Sequence, residues 1–256
     1  MLEPDDVRRN AEQKAEFLTR CAAISMNPVR QSPHSCSRCC GALNAGVCPG
    51  CADAAAAIGL AADRVVPLTY AVDREQSGRN FYNYKDIAHD DRTQENAFLQ
   101  VVPFMWGFSA DHVDCLDRVS RIPVSAVCIV PSGRGRAGPH PLERVAQSAP
   151  RRWRRVDAIR TRAASTHIDP GSVSFAADSD LAGTHLAVID DTWVKGAKAE
   201  SVGMAARSRG ASEITILPIA RWLRPGFGET SALLEVAKAR GPWSREVCPV
   251  TGSECP

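Results

Sequence analysis

Nothing in the 256-residue sequence approaches the ~20 uncharged apolar residues that span a bilayer, so no membrane span is expected. The opening residues MLEPDDVRRN lack the apolar core of a secretory signal. That absence makes a soluble cytoplasmic protein the expectation. Internal repeats and low-complexity tracts are missing too, which excludes solenoid and fibrous architectures. A large excess of either charge is missing, with 31 basic and 29 acidic residues and a formal net charge of +2 that favours no class of partner. Lysine is absent between Pro131 and Ser165, where nine arginines face only Glu143 and Asp157. Such a zone concentrates phosphates or nucleic acid, although a solvated helical face is the plain alternative. With 44% hydrophobic and 23% charged residues, the rest reads as an ordinary globular chain.

Ten cysteines are present, and without a secretory signal they point to metal or free thiols more than to disulfides. Cys36-x2-Cys39 and Cys48-x2-Cys51 form two CxxC pairs eight residues apart. Each pair fits a tight turn aiming two thiolates at one ion, and together they complete a closed structural Zn²⁺ site. Gly41, Gly46 and Gly50 supply backbone freedom for such turns. Cys40 stands beside the second ligand and offers a substitute for it. Cys248 and Cys255, in CPVTGSECP, could meet a metal or each other, and spacing alone assigns neither.

Apolar runs at Val65–Val72, Val124–Val130, Leu186–Ile189 and Ile214–Ala220 predict strands. Helical patterns are predicted around Val7–Ala22, Asp53–Arg64, Leu142–Ser148, Ala197–Arg209 and Glu229–Arg240. Glu95–Val119 is the longest of them, with Pro103 expected to break or start a helix. Alternation of this kind predicts an α/β fold with a doubly wound, mostly parallel sheet and a small N-terminal zinc-binding module. The expected division is 1–30 helix and linker, 31–60 zinc module, 61–245 main domain and 246–256 tail.

In HLAVIDDTWVKGAKAE (His185–Glu200), an apolar strand delivers Asp190 and Asp191 to its carboxyl end, where open α/β sheets bind ligands. Gly196 then leads into a helix whose start offers free N–H groups to an anion. Acids beside a phosphate cradle suit a sugar phosphate. Paired acids also mark response-regulator receivers, but there they stand near the domain start, and only 65 residues follow Asp191. Gly133, Gly135 and Gly138 spell G-x-G-x-x-G, yet Pro139, Pro141 and the following RRWRRVD disagree with a dinucleotide fold.

The segment VIDDTWVKGAK resembles the signature of type I phosphoribosyltransferases: an apolar run, two acids, then a short glycine-bearing loop. With the four-cysteine knuckle before it, the order of segments resembles the competence-associated ComF-like branch of that family. The resemblance implies binding of 5-phosphoribosyl pyrophosphate with Mg²⁺, and transfer of phosphoribosyl to a nitrogen nucleophile. It assigns Asp190 and Asp191 to the ribose, and Thr192, Lys195, Gly196, Ala197 and Lys198 to the 5-phosphate. Ser132, Gly133 and Arg134 fall at the diphosphate loop. Positions 195 and 198 carry lysine where the family usually has Thr or Ser. Tyr82, Tyr84 and Lys85 are candidates for the acceptor side, or else buried aromatics. Trp153, among four arginines, could stack on a base or anchor the chain to the core. The ComF resemblance also implies an alternative, a non-catalytic nucleotide- or single-stranded-DNA-binding accessory of DNA uptake.

Overall fold

The structure, a computed structural model, describes residues 16, 18–57, 61–86, 88–132, 140–163 and 165–256. In chain order, helices over residues 18–24 (α1) and Ala52–Ala56 (α2) precede strands β1 (Arg64–Val65) and β2 (Thr69–Val72). Helices α3 (Gln76–Asn83), α4 (Asp91–Asp111) and α5 (Val113–Val119) lead to β3 (Ala126–Ile129) and α6 (Pro141–Ala146). Short strands β4 (Arg154–Arg155), β5 (Ala158–Arg160) and β6 (Val173–Phe175) follow. The chain then runs through β7 (His185–Trp193), α7 (Ala197–Ser208), β8 (Glu213–Leu223) and α8 (Thr230–Ala239). Most of the predicted first helix lies outside the described residues.

The main sheet has the order β1-β8-β7-β3-β4, with β2 also paired to β8, and every pairing in it is parallel. Strands β5 and β6 form a separate antiparallel pair. Period-two alternation of side chains explains how the continuous apolar runs bury both faces. Ala187, Ile189, Leu217 and Ile219 pack against Phe98, Val101, Phe104, Met105 and Phe108 of α4. Their neighbours Leu186, Val188, Ile214 and Ile216 pack with Ala199, Val202 and Ala206 of α7. The α/β class and mostly parallel sheet are therefore as the sequence predicts.

Three local expectations need correction. Pro103 does not break α4, which runs on for 21 residues. Losing one backbone donor costs ~3 kcal/mol, but each large side chain buried on this face returns about 1.5–3 kcal/mol. Asp90 also caps the helix, accepting from the Thr93 N–H at 2.9 Å. The predicted strand over 65–72 divides in two at Pro67, which has no N–H to give. Val66 and Leu68 on either side still bond to Ile216 and Pro218 carbonyls. Finally, β7 does not end at the acids but continues through Trp193, held by Thr192 and Trp193 pairing with Ala220 and Arg221 of β8.

Candidate functional site

Turns closed by Cys40 N–H to Cys36 O (2.8 Å) and Cys51 N–H to Cys48 O (3.0 Å) bring the two CxxC pairs together. The sulfurs of Cys36, Cys39, Cys48 and Cys51 all lie within 4.8 Å of one another. Cys39 and Cys48 approach to 3.5 Å, and Cys36 and Cys51 to 4.0 Å. A tetrahedral zinc site with Zn–S bonds of ~2.3 Å sets its sulfurs ~3.8 Å apart, so the four residues fit Zn²⁺. Hydrogen bonds from the other three thiols hold Cys36 far below its ordinary range. Cys40 is not a substitute ligand. It turns at φ 56 into a separate apolar cluster, and burial pushes its thiol up to about 12.

Two arginines join this knuckle to the sheet. Arg221, on β8, is buried; burial alone would lower its pKa, but the facing thiols of Cys39 and Cys48 raise it. Gly41 and Gly50 matter here by lacking a Cβ, which would fall 2.1 and 2.8 Å from the Arg221 guanidinium. The same guanidinium donates to the carbonyls of Trp193 (2.8 Å) and Val194 (3.1 Å), the turn that follows β7. Arg38 reaches Cys51 Sγ at 3.8 Å and Glu200 of α7 at 2.5 Å. Glu200 is fully buried and also accepts from the Ala62 N–H. The knuckle thus grips both ends of the β7–α7 turn, a link that cysteine spacing does not reveal.

Asp190 is buried and Asp191 half-buried, next to each other in the carboxyl-terminal half of β7. The end of α3 supplies the partners: Lys85 Nζ lies 2.5 Å from Asp191 Oδ2, and the Tyr84 hydroxyl donates to the same oxygen at 3.2 Å. Burial works against ionising Asp191, but Lys85 outweighs it and holds the carboxyl below the usual range. Burial and the neighbouring Asp191 charge push Asp190 the other way, to about 7, despite the opposing pull of Lys85 and Lys198. One acid is therefore a carboxylate and the other close to half-protonated at neutral pH. Two adjacent acids driven apart in this way mark the place as a candidate site.

The remaining predicted residues divide into two groups. Thr192 is half-buried on β7, and Gly196 caps α7 in the left-handed region at φ 74. A side chain at 196 would meet the Trp193 ring 2.2 Å away. Ala197 begins α7 with no side chain capping the helix, and exposed Lys198 acts on Asp190. Lys195 instead borders a 370 Å³ cleft on the knuckle side, with Gly50, Arg221 and Phe227. Ser132 lines a larger, 730 Å³ cleft at the end of β3, with His140, Glu143, Arg155 and Asp157. Gly133 and Arg134, with the rest of the G-x-G-x-x-G stretch, lie outside the described residues.

His140, which the sequence reading passes over, connects the two places. It lines the large cleft, caps α6 by accepting from the Leu142 N–H, and acts electrostatically on Asp191. Arg160 is a second omission, holding the carbonyls of Pro131 (2.8 Å) and Ser132 (2.9 Å). Tyr82 is exposed and away from this arrangement, whereas Tyr84 is buried in it. Trp153 is buried against Phe108 and serves as an anchor, not a stacking platform. Among the described residues, no helix is long and apolar enough to cross a membrane. No family model matches the chain, and no curated protein matches it either.

Proposed function

We propose that the chain is a type I phosphoribosyltransferase-like protein that binds 5-phosphoribosyl pyrophosphate and passes phosphoribosyl to a nitrogen nucleophile. The observation that carries this reading is the acid pair: Asp190 and Asp191 near the carboxyl end of a central parallel strand, the first pushed up toward neutral pH and the second held low by Lys85, one short turn before a helix start. The hydroxyls of a vicinal diol can each donate to a carboxylate or accept from a protonated carboxyl, and the pair offers Asp191 as an acceptor and Asp190 in either role. Asp191, oriented by Lys85 and Tyr84, accepts a hydrogen bond from one ribose hydroxyl; Asp190 serves the second hydroxyl. The first N–H groups of α7, with Lys198 beside them, receive the 5-phosphate. Ser132 and His140, in the 730 Å³ cleft, stand on the diphosphate side.

Breaking the anomeric C–O bond leaves an oxocarbenium-like sugar and a departing diphosphate. The protein's part is orientation and charge stabilisation, with no covalent intermediate required. Mg²⁺ accompanying the donor would offset the diphosphate charge, as expected for an ion that prefers phosphate oxygens and few protein ligands. Zn²⁺ held by the four knuckle cysteines would have no open position and would support structure.

The alternative, an accessory that binds single-stranded DNA, draws on the arginine-rich 151–162 stretch. Arg152 is bound to Asp114 and Asp117, Arg160 to Pro131 and Ser132, and Arg154 and Arg155 to carbonyls of Asp180 and Ala146. Arginines held this way add little to a nucleic-acid surface, so the phosphoribosyl reading is preferred. Titration calorimetry with 5-phosphoribosyl pyrophosphate is the test. Mg²⁺-dependent binding is expected, lost in Asp191→Asn with the unfolding midpoint nearly unchanged. Absence of donor binding by the folded, zinc-loaded protein, or binding unaltered by Asp191→Asn, overturns the site.

A further inference from the structure

The two tail cysteines that spacing leaves unassigned do not stand alone. Cys248 and Cys255 meet His112 and Cys115 at the corner between α4 and α5, and the four ligand atoms lie within 4.8 Å of one another. His112 Nδ1 is 3.5 Å from Cys255 Sγ and 4.0 Å from Cys115 Sγ. His112, Cys115 and Cys248 are buried, and Cys255 is exposed.

Three features distinguish this cluster from a chance meeting of thiols. The imidazole is oriented for ligation: its Nε2 lies 2.6 Å from the Arg245 carbonyl. That bond places the proton on Nε2 and leaves the Nδ1 lone pair facing the sulfurs, the arrangement typical of metal-bound histidine. The tail is folded to present its thiols. Gly252 N–H bonds back to Cys248 O at 2.7 Å, Cys248 N–H bonds to Ser253 O at 2.8 Å, and Gly252 takes φ 83. Backbone N–H groups of Val250 and Thr251 also point at the Cys248 sulfur. Finally, the approach to the cluster is anchored. Trp243 packs edge-on against Phe104 at 5.1 Å and donates to Leu68 O. Arg245 forks onto Asp111 and lies over the Trp106 ring at 4.8 Å.

The geometry points to a second structural zinc site, His112–Cys115–Cys248–Cys255, that staples the tail onto the α4–α5 corner. Three thiolates with one imidazole select Zn²⁺ over harder cations, and four protein ligands leave it no open position. The site is independent of the phosphoribosyl reading and lies apart from the acid pair.

The test is elemental analysis of the full chain grown with zinc and purified without chelator. About two zinc ions per chain are expected, falling to about one in Cys248→Ser/Cys255→Ser and in Cys36→Ser/Cys39→Ser. A wild-type content of about one, unchanged by the tail double variant, overturns the site, as does a Cys248–Cys255 disulfide in the mass spectrum of the protein purified and analysed without reductant. Because Cys255 is exposed, Cys255→His leaves the core untouched. Zinc content near the wild-type value in Cys255→His, against a loss of about half in Cys255→Ser, identifies ligation. Equal zinc contents in those two variants and in wild type refute it.

Discussion

The two sulfur clusters are built differently. The first takes all its members from sixteen consecutive residues, Cys36–Cys51, and the second joins His112 and Cys115 to a tail more than a hundred residues away. With zinc, four thiolates would leave two net negative charges and three thiolates with an imidazole only one. The first cluster accordingly has Arg38 and Arg221 against its sulfurs. These arginines also hold the turn after β7, so the first cluster is coupled to the acid pair. The second is anchored on α4, at a distance from it in the fold. Locally encoded sulfur thus supports the site, and distantly encoded sulfur supports the scaffold.

The largest effect should come from stripping zinc from the first cluster. Chelation, or Cys39→Ser with Cys48→Ser, is expected to remove several kcal/mol of folding free energy from this part of the chain. Hydrogen exchange should rise over 36–51 and also over 193–200. If 193–200 stays protected while 36–51 opens, the coupling is wrong. Next, Arg221→Met should destabilise the protein by about 3–5 kcal/mol in denaturant melts, because it strands buried thiols and carbonyls. Arg38→Met, at a partly exposed position, should cost less, and the reverse ranking would break the assignment of Arg221 as the main clamp.

A pH effect sharpens the description of the acid pair itself. Asp190 rises from 3.8 to about 7 on folding. A carboxyl raised in this way contributes its full stability in acid and loses it as pH climbs from about 4 to about 7. Asp190→Asn should flatten that decline, gaining on the order of 3 kcal/mol on wild type between pH 4 and pH 8. Parallel wild-type and variant curves would mean that Asp190 is ordinary. The smallest effect separates the two lysines. Lys198→Ala should weaken donor binding severalfold and Lys195→Ala hardly at all, since only Lys198 acts on Asp190. Equal losses would place the phosphate astride both clefts.

How much of this could be read from the chain depended on distance along it. The Leu186–Ile189 and Ile214–Ala220 runs, the acid pair and the first knuckle are local patterns, and local patterns carry over into structure directly. Pro103 misled because its breaking tendency is local, whereas the apolar face that holds α4 straight through it is tertiary. Lys85 was suspected of a role but not of pairing with Asp191, since nothing in NYKDI indicates which strand α3 ends beside. Arg221 falls one residue past the predicted Ile214–Ala220 strand, which in the structure runs on to Leu223. Its partners come from three separate segments, and no periodicity announces a buried guanidinium.

Trp193 has a consequence of its own. Its indole is fully buried, rests where any side chain at 196 would sit, and has the Arg38 guanidinium 5.9 Å from its ring. It therefore stands between knuckle and acids with no room to shift unnoticed. With the other four tryptophans replaced by phenylalanine, its emission becomes an optical gauge of metal loss on one side and ligand arrival on the other.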